Sequence, residues 1–436
     1  MRNFLSLSPI LLFLGLYLLG GLLLQDFYSL SVPLLLILGI VVGVLQNKKI
    51  LFADKFQVLV KGAGQQNIIL MCFIFILAGG FAQLTKSLGG IDTLINYGLS
   101  TFPPSVFLVA LFLIACLISM AMGTSVGTMA ALVPIAVSLA EVTHLPVGVT
   151  VGAVLSGAMF GDNLSLVSDT TIVITQTMGC TNKEKLRTNF RFIWPAAILT
   201  CVAYYVTSLG YDFQFAPTAL GNMWSILPYL IVLALSLSGV HVFATLFLGL
   251  CASCILGLTQ GYTWAKIMNI IGAGFASMSE MVVITLLVGG IIALIQDNGG
   301  INYVLNALRS KINNKRMAET MMVVTLGLVN ICVANNTVSL VVSAPILKEI
   351  KDKYDLNAAR MASLLDMASC VVQGLIPYGI QLLMAAKLAS TASISIIPYT
   401  YYPILMLFTI IYVIFRQQTK YNPAPLTFCK TNSQTK

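Results

Sequence analysis

Apolar runs of roughly twenty residues, parted by short polar segments, follow one another along almost the whole chain. A helix crossing a bilayer needs about 20 apolar residues, fewer where the helix is broken. On that template spans fall at 8–25, 31–46, 67–85, 104–121, 126–140, an interrupted 147–178, and 192–209. A second series falls at 224–239, 240–258, 267–296, 319–334, 337–347, an interrupted 361–390, and 397–415. The pattern predicts an all-α polytopic membrane protein of about 14 transmembrane segments, seven in each series. The division between 239 and 240 rests on Gly239 and His241 as a turn signal.

The two series repeat one another. Gly62-Ala63-Gly64 recurs as Gly272-Ala273-Gly274, Gly79-Gly80 as Gly289-Gly290, Leu84 as Leu294, Gly89-Gly90-Ile91 as Gly299-Gly300-Ile301, Asn96 as Asn306 and Ser100 as Ser310, all offset by 210. With one residue inserted, Thr124-Ser125 aligns with Asn335-Asn336, Pro134-Ile135 with Pro345-Ile346, and Leu166 with Pro377. Self-similarity held in register over this length is the signature of a repeat. Seven is odd, so the second copy enters the membrane from the opposite side. This gives two inverted transmembrane repeats, 1–210 and 211–416, and a tail, 417–436, read as cytoplasmic. In such an architecture interrupted helices of the two halves meet near the midplane and form the transport site.

Composition agrees: 58% of residues are hydrophobic and 9% charged, with a mean hydropathy of +0.92, which leaves too little charge to cover a water-soluble surface. The first apolar stretch lacks a small-residue cleavage site and reads as a span, not a leader. A net charge of +9 would suit nucleic acid if it were concentrated on one face. Instead Arg2, Lys48, Lys49, Lys55 and Lys61, then Lys183, Lys185, Arg187 and Arg191, then Arg309, Lys311, Lys315 and Arg316, then Lys348, Lys351, Lys353 and Arg360 fall in polar segments between spans. Arg416 and the tail are likewise polar, and only Lys86, Lys266 and Lys387 lie elsewhere. That is the positive-inside pattern, with membrane lipid as the neighbour and no nucleic acid. The basic segment at 47–61 has a counterpart, 259–266, holding only Lys266, whereas the loop at 141–146 is read as external and its counterpart at 348–360 as internal. The nine cysteines lie mostly in apolar runs and read as small buried hydrophobes.

Candidate chemistry concentrates in the first interrupted segment, GAVLSGAMFGDNLSLVSDTTIVIT, from Gly152 to Thr175. Asp162 and Asp169, with Asn163, Ser165, Ser168 and Thr170, supply hard oxygen ligands of the kind Na+ prefers. Carboxylates at membrane depth are costly and mark function. Desolvation favours the protonated form of a buried acid and a bound cation the ionised form, so Na+ and H+ can compete for one group. The plainer reading makes one of the two acids a helix cap. In the second interrupted segment, Asp366 is either an ion or proton site or an internal hydrogen-bond anchor, and Gln373, read as cavity lining, precedes a Pro377-Tyr378-Gly379 break. Lys387 is read as a counter-charge near a helix end, or as a contact for an anionic substrate. Thr124, Ser125 and Thr128, and their counterparts Asn335, Asn336 and Thr337, read as cavity lining, against plain helix packing.

Gly161, Asp162, Ser165, Ser168, Asp169, Thr170 and Thr171 resemble the GD-x-x-S-P-x-SDTT signature of the NhaC-type Na+/H+ antiporter family, with Leu166 where the family has proline. The resemblance implies a secondary active transporter in a prokaryotic inner membrane, both termini cytoplasmic, exchanging Na+ for H+ by alternating access. It implies Na+ at Asp162 and Asp169, no cofactor and no catalytic residue. The rival keeps the fold and changes the cargo to a small organic acid or amino acid coupled to Na+ or H+, held by Lys387 and the Asn335-Asn336 row. A homodimer is compatible with either. No His-x-x-Glu-His, Gly-x-Ser-x-Gly or P-loop motif argues for an enzyme or an ATP-driven pump.

Overall fold

Glycines, prolines and capping side chains set the helix ends in the structure, a computed structural model that describes residues 5–24, 31–46, 51–90, 93, 103–165, 168–211, 222–238, 240–301, 303 and 312–416. The first series runs α1 (Ser8–Leu24), α2 (Val32–Leu45), α3 (Phe52–Ala63), α4 (Gln66–Ser87), α5 (Phe107–Met122), α6 (Ser125–Thr143), α7 (Val147–Leu164), α8 (Asp169–Met178) and α9 (Asn182–Leu209). The second runs α10 (Leu227–Leu237), α11 (Val242–Thr259), α12 (Trp264–Ser277), α13 (Ser279–Asp297), α14 (Lys315–Val333), α15 (Asn336–Lys353), α16 (Ala358–Leu375), α17 (Ile380–Leu388), α18 (Ser393–Ile396) and α19 (Tyr401–Phe415). The described residues are all helix, turn or coil.

The recurrence seen in the letters recurs in the helices. Shifted by 211, α7 and the start of α8 land on α16 and the start of α17 residue for residue. α5 and α14 end alike, on a left-handed residue: Gly123 at φ 67 and Ala334 at φ 50. α6 and α15 then begin alike, the side chains of Thr124 and Asn335 accepting backbone N–H groups of their first turns. The two series are also interlaced, with α3 packing on α13 and α12 on α4. Both crossings bring backbone against backbone. A methyl on Gly62 would strike the Gly289 carbonyl, and one on Gly79 the Gly274 carbonyl, so only glycine fits.

At the centre lies α7, buried along nearly its whole length among α5, α6, α16 and α19. Gly157 and Gly161 let it lie directly on α5, a Cβ at Gly161 falling 2.6 Å from the Cys116 carbonyl. The outer helices instead show an apolar face: α9 exposes Trp194, Ile198, Val202 and Val206. That face suits lipid.

Eight described helices are long and apolar enough to cross a membrane, nine if the bent pair Ser393–Tyr399 and Tyr401–Phe415 counts as one span, and four shorter apolar helices accompany them. The expected fourteen spans are not reproduced as such. α15, expected as a span at 337–347, is not among them, because its last two turns carry Lys348, Glu349, Lys351, Asp352 and Lys353. The basic segment at 47–61 is not simply a loop, since α3 occupies most of it. Its Lys55 is buried and donates to the carbonyls of Val44 and Gln46, covering the end of α2. The span expected at 267–296 begins earlier and turns at Met278 between α12 and α13. The tail at 417–436, Leu166, Asn96, Asn306, Arg309 and Lys311 lie outside the described residues.

Candidate cation site

Where α7 stops, Ser165 is extended, and Ser168, also extended, stands immediately before α8. This break leaves the last carbonyls of α7 without intrahelical donors, and Asp162 and Asn163 sit in that last turn. Ser168 Oγ donates to Asp162 Oδ1 at 2.6 Å and Ser125 Oγ to Oδ2 at 3.3 Å. Ser168 also bonds Thr170 at 2.9 Å, and Gln381 Nε2 donates to Ser125 Oγ at 3.3 Å, so the carboxylate is tied to α6, α8 and α17 at once. All these side chains are buried. Among the described residues no lysine or arginine forms an ion pair with Asp162. It is a buried carboxylate whose hydrogen bonds come from neutral hydroxyls.

Asp366 of α16 arrives at the same place already neutralised. Lys185 Nζ lies 2.7 Å from its Oδ2, with both side chains fully buried. The same ammonium donates to the Asn163 carbonyl at 2.9 Å and to Thr171 Oγ1 at 2.7 Å, so its three donors are engaged. Asn189, one turn along α9, donates to the Asn163 carbonyl at 2.7 Å and to Asp366 Oδ2 at 3.2 Å. Behind the site, Asn163 Nδ2 reaches the Tyr402 hydroxyl at 3.2 Å, and Phe160 packs edge-on to Tyr402.

Sequence reasoning missed Lys185 and Asn189, having placed Lys185 in a polar segment outside the membrane. The signal was present in Thr181 and Glu184. They form a capping box, each side chain bonded to the other's backbone N–H, which starts α9 at Asn182. From that start Lys185, Asn189, Ile193, Ala196, Thr200, Tyr204 and Ser208 fall on one buried stripe. Helical period places Lys185 on the core face.

The second break, between α16 and α17, is built of amides. Gln373 Nε2 donates to Asn330 Oδ1 at 2.8 Å, and Asn330 Nδ2 to Asn336 Oδ1 at 3.3 Å and to the Ser369 carbonyl at 2.9 Å. Five buried side-chain oxygens at the two breaks have no hydrogen-bond partner: Asn163 Oδ1, Asn189 Oδ1, Asp366 Oδ1, Gln373 Oε1 and Gln381 Oε1. Buried acceptors without donors are costly. A hard cation is the ligand that oxygen-only acceptors fit.

Of the expected site residues, Asp162, Asn163, Ser125, Ser168, Thr170 and Asp366 converge here, joined by Asn336 and Gln373 at the second break. Ser165 lies in the first break, its carbonyl accepting from Thr171. Thr124 and Asn335 act as caps, Thr128 bonds back to the Thr124 carbonyl at 3.0 Å, and Thr337 is half-buried in the first turn of α15. Lys387 does not line the site. It lies in the last turn of α17 and pairs with Glu280 at 2.5 Å, both partly exposed, as a counter-charge. Asp169 is the first residue of α8; its side chain lies outside the described residues.

Two further ion pairs differ from these in setting. Arg360, also on α16, holds Glu319 with two bonds of 2.9 and 3.0 Å and donates to the Val413 carbonyl at 2.7 Å. Lys86 and Glu141 stand 3.8 Å apart and exposed.

A sequence profile of the Na+/H+ antiporter family matches residues 7–209 and 215–416. The chain is 25% identical over 375 residues to the Na(+)/H(+) antiporter NhaC of Bacillus subtilis (strain 168), covering 78% of this chain and 81% of that protein. It is 22% identical over 369 residues to the malate-2H(+)/Na(+)-lactate antiporter of the same organism, covering 77% and 79%. Among solved structures it is similar to the Alcanivorax borkumensis YdaH transporter, with a TM-score of 0.44 and 13% identity over 82% of this chain and 87% of that one. With almost the whole chain inside the family profile, the protein belongs to the Na+/H+ antiporter family.

Proposed function

We propose that the chain is a secondary active transporter exchanging Na+ for H+, with Asp162 as the group for which the two ions compete. The observation that carries this is the setting of Asp162: buried, hydrogen-bonded by hydroxyls, and unpaired with any cation among the described residues. Charge explains the coupling. Lys185 and Asp366 cancel, so among the described side chains of the site the charge of Asp162 is left uncompensated, and either a proton or Na+ neutralises it. An uncompensated buried charge is expensive. The empty carrier is therefore the high-energy form, and the site changes sides loaded with one ion or the other. Ser168 and Ser125 can turn their oxygens to a cation once they cease donating to the carboxylate.

The recurrence of α7–α8 as α16–α17, and the two stretches of the family match, support two inverted repeats at 1–210 and 211–416, rocking about the paired breaks near the midplane. The location is the plasma membrane of a prokaryote, with both termini on the cytoplasmic side. A small organic anion or amino acid as cargo is the second reading, favoured by the malate and lactate of one relative's name. Its expected anchor, Lys387, is engaged by Glu280 away from the breaks.

Proteoliposomes holding only this protein and a preset pH gradient test the reading. Added Na+ should collapse the gradient, and Asp162→Asn should abolish the effect. Proton movement that waits for a carboxylate or amino acid would transfer the site to the second reading.

A further inference from the structure

The two breaks are one design used twice, and they differ in charge. Ser119 Oγ donates to the Ala158 carbonyl at 2.6 Å, and its counterpart by the 211 offset, Asn330 Nδ2, donates to the Ser369 carbonyl, the counterpart of Ala158, at 2.9 Å. The left-handed ends of α5 and α14 and the capped starts of α6 and α15 keep the same register. In that register Asp162 coincides with Gln373, Ser125 with Asn336, and Asp169 with Ile380. Each acid of the first break therefore has a neutral counterpart in the second. Asp162 bonds Ser125 directly, and Gln373 reaches Asn336 through Asn330. Gln373 Oε1 is buried and without a partner, and it borders the break, since a Cβ at Gly379 would lie 3.0 Å from it. The second break thus has the helix ends, the buried polar partners and the open acceptor of the first. It lacks formal charge. A carboxamide oxygen offers a cation only a dipole in exchange for its hydration, where a carboxylate offers a full opposite charge.

We infer that the chain binds a single exchangeable cation, at the Asp162 break, and that Gln373 is the residue that withholds a second. The α16–α17 break is a latent cation site that a carboxylate at position 373 would open. This rests on the exchange reading above, and the test separates the two. Equilibrium binding of radiolabelled Na+ to the purified full-length protein in detergent counts sites without requiring transport. About one Na+ per chain is expected for the native protein, none for Asp162→Asn, and about two for Gln373→Glu, each at saturation. Two Na+ on the native chain, or one on a folded Gln373→Glu chain, overturns the inference while leaving exchange intact. No Na+ on the native chain counts against the exchange reading itself. If Gln373→Glu alone does not fold, Asp162→Gln/Gln373→Glu keeps the number of buried charges constant. That double variant should bind about one Na+, and a folded double variant binding none overturns the inference.

Discussion

Two buried ion pairs sit two turns apart on α16 and are built to opposite specifications. Arg360 and Glu319 are matched fork to fork, with a backbone carbonyl taking a further donor. Arg360 keeps 16% of its side chain exposed. Lys185 and Asp366 touch through one oxygen, both are fully buried, and the second oxygen of Asp366 has no partner. A saturated bidentate pair is a clamp. A pair with an idle acceptor, in a cluster of idle acceptors, has capacity left for a ligand. The difference teaches that burial alone does not mark a site; incomplete satisfaction does.

The severest way to break this comparison is to remove one partner. Lys185→Met strands Asp366 and should cost about 3–5 kcal/mol, read as loss of folded protein on heating in detergent. Glu319→Leu should cost less, because Arg360 can still reach water and the Val413 carbonyl; equal losses would erase the distinction. Replacing whole pairs sharpens it. Glu319→Leu/Arg360→Met should keep Na+-driven proton movement, whereas Lys185→Met/Asp366→Leu, even where folded, should lose it roughly tenfold or more, about 1.4 kcal/mol or above in barrier terms. Smaller still, Lys387→Met should cost about 0–1 kcal/mol and leave exchange in proteoliposomes intact, its pair with Glu280 being partly exposed. Lys86→Ala, at an exposed and loose pair, should leave the melting curve unmoved at any salt concentration. A measurable loss there would show surface charge doing what is here assigned to the interior.

Much of this was legible in the letters because it depends on local rules. The apolar runs announced the spans, and the offset of 210 to 211 announced helices that land on one another almost residue for residue. Asp162, Ser125 and Ser168 were found because acids and hydroxyls beside a glycine are conspicuous in an apolar run. Lys185 was hidden because its neighbours Lys183, Glu184 and Arg187 are exposed or half-exposed. A charged cluster reads as one solvated patch unless helical period is applied across it. α3 was hidden for a similar reason, its two lysines outweighing Phe52, Phe56 and Val60, which face outward. The pairing of Asp366 with Lys185 joins positions far apart in the chain, and no spacing rule reaches that far.

The glycine crossings constrain the order in which the protein can be made. α3 finds its partner in α13, and α12 finds its partner in α4. Gly62 must meet Gly289 with no side chain between them. α3 therefore leaves the ribosome with a docking face it cannot fill, and more than two hundred further residues are made before α13 begins. Contacts of such long range close late and slowly. A chain cut between the two series would release halves that each lack the other's helix, so the crossings hold the halves together.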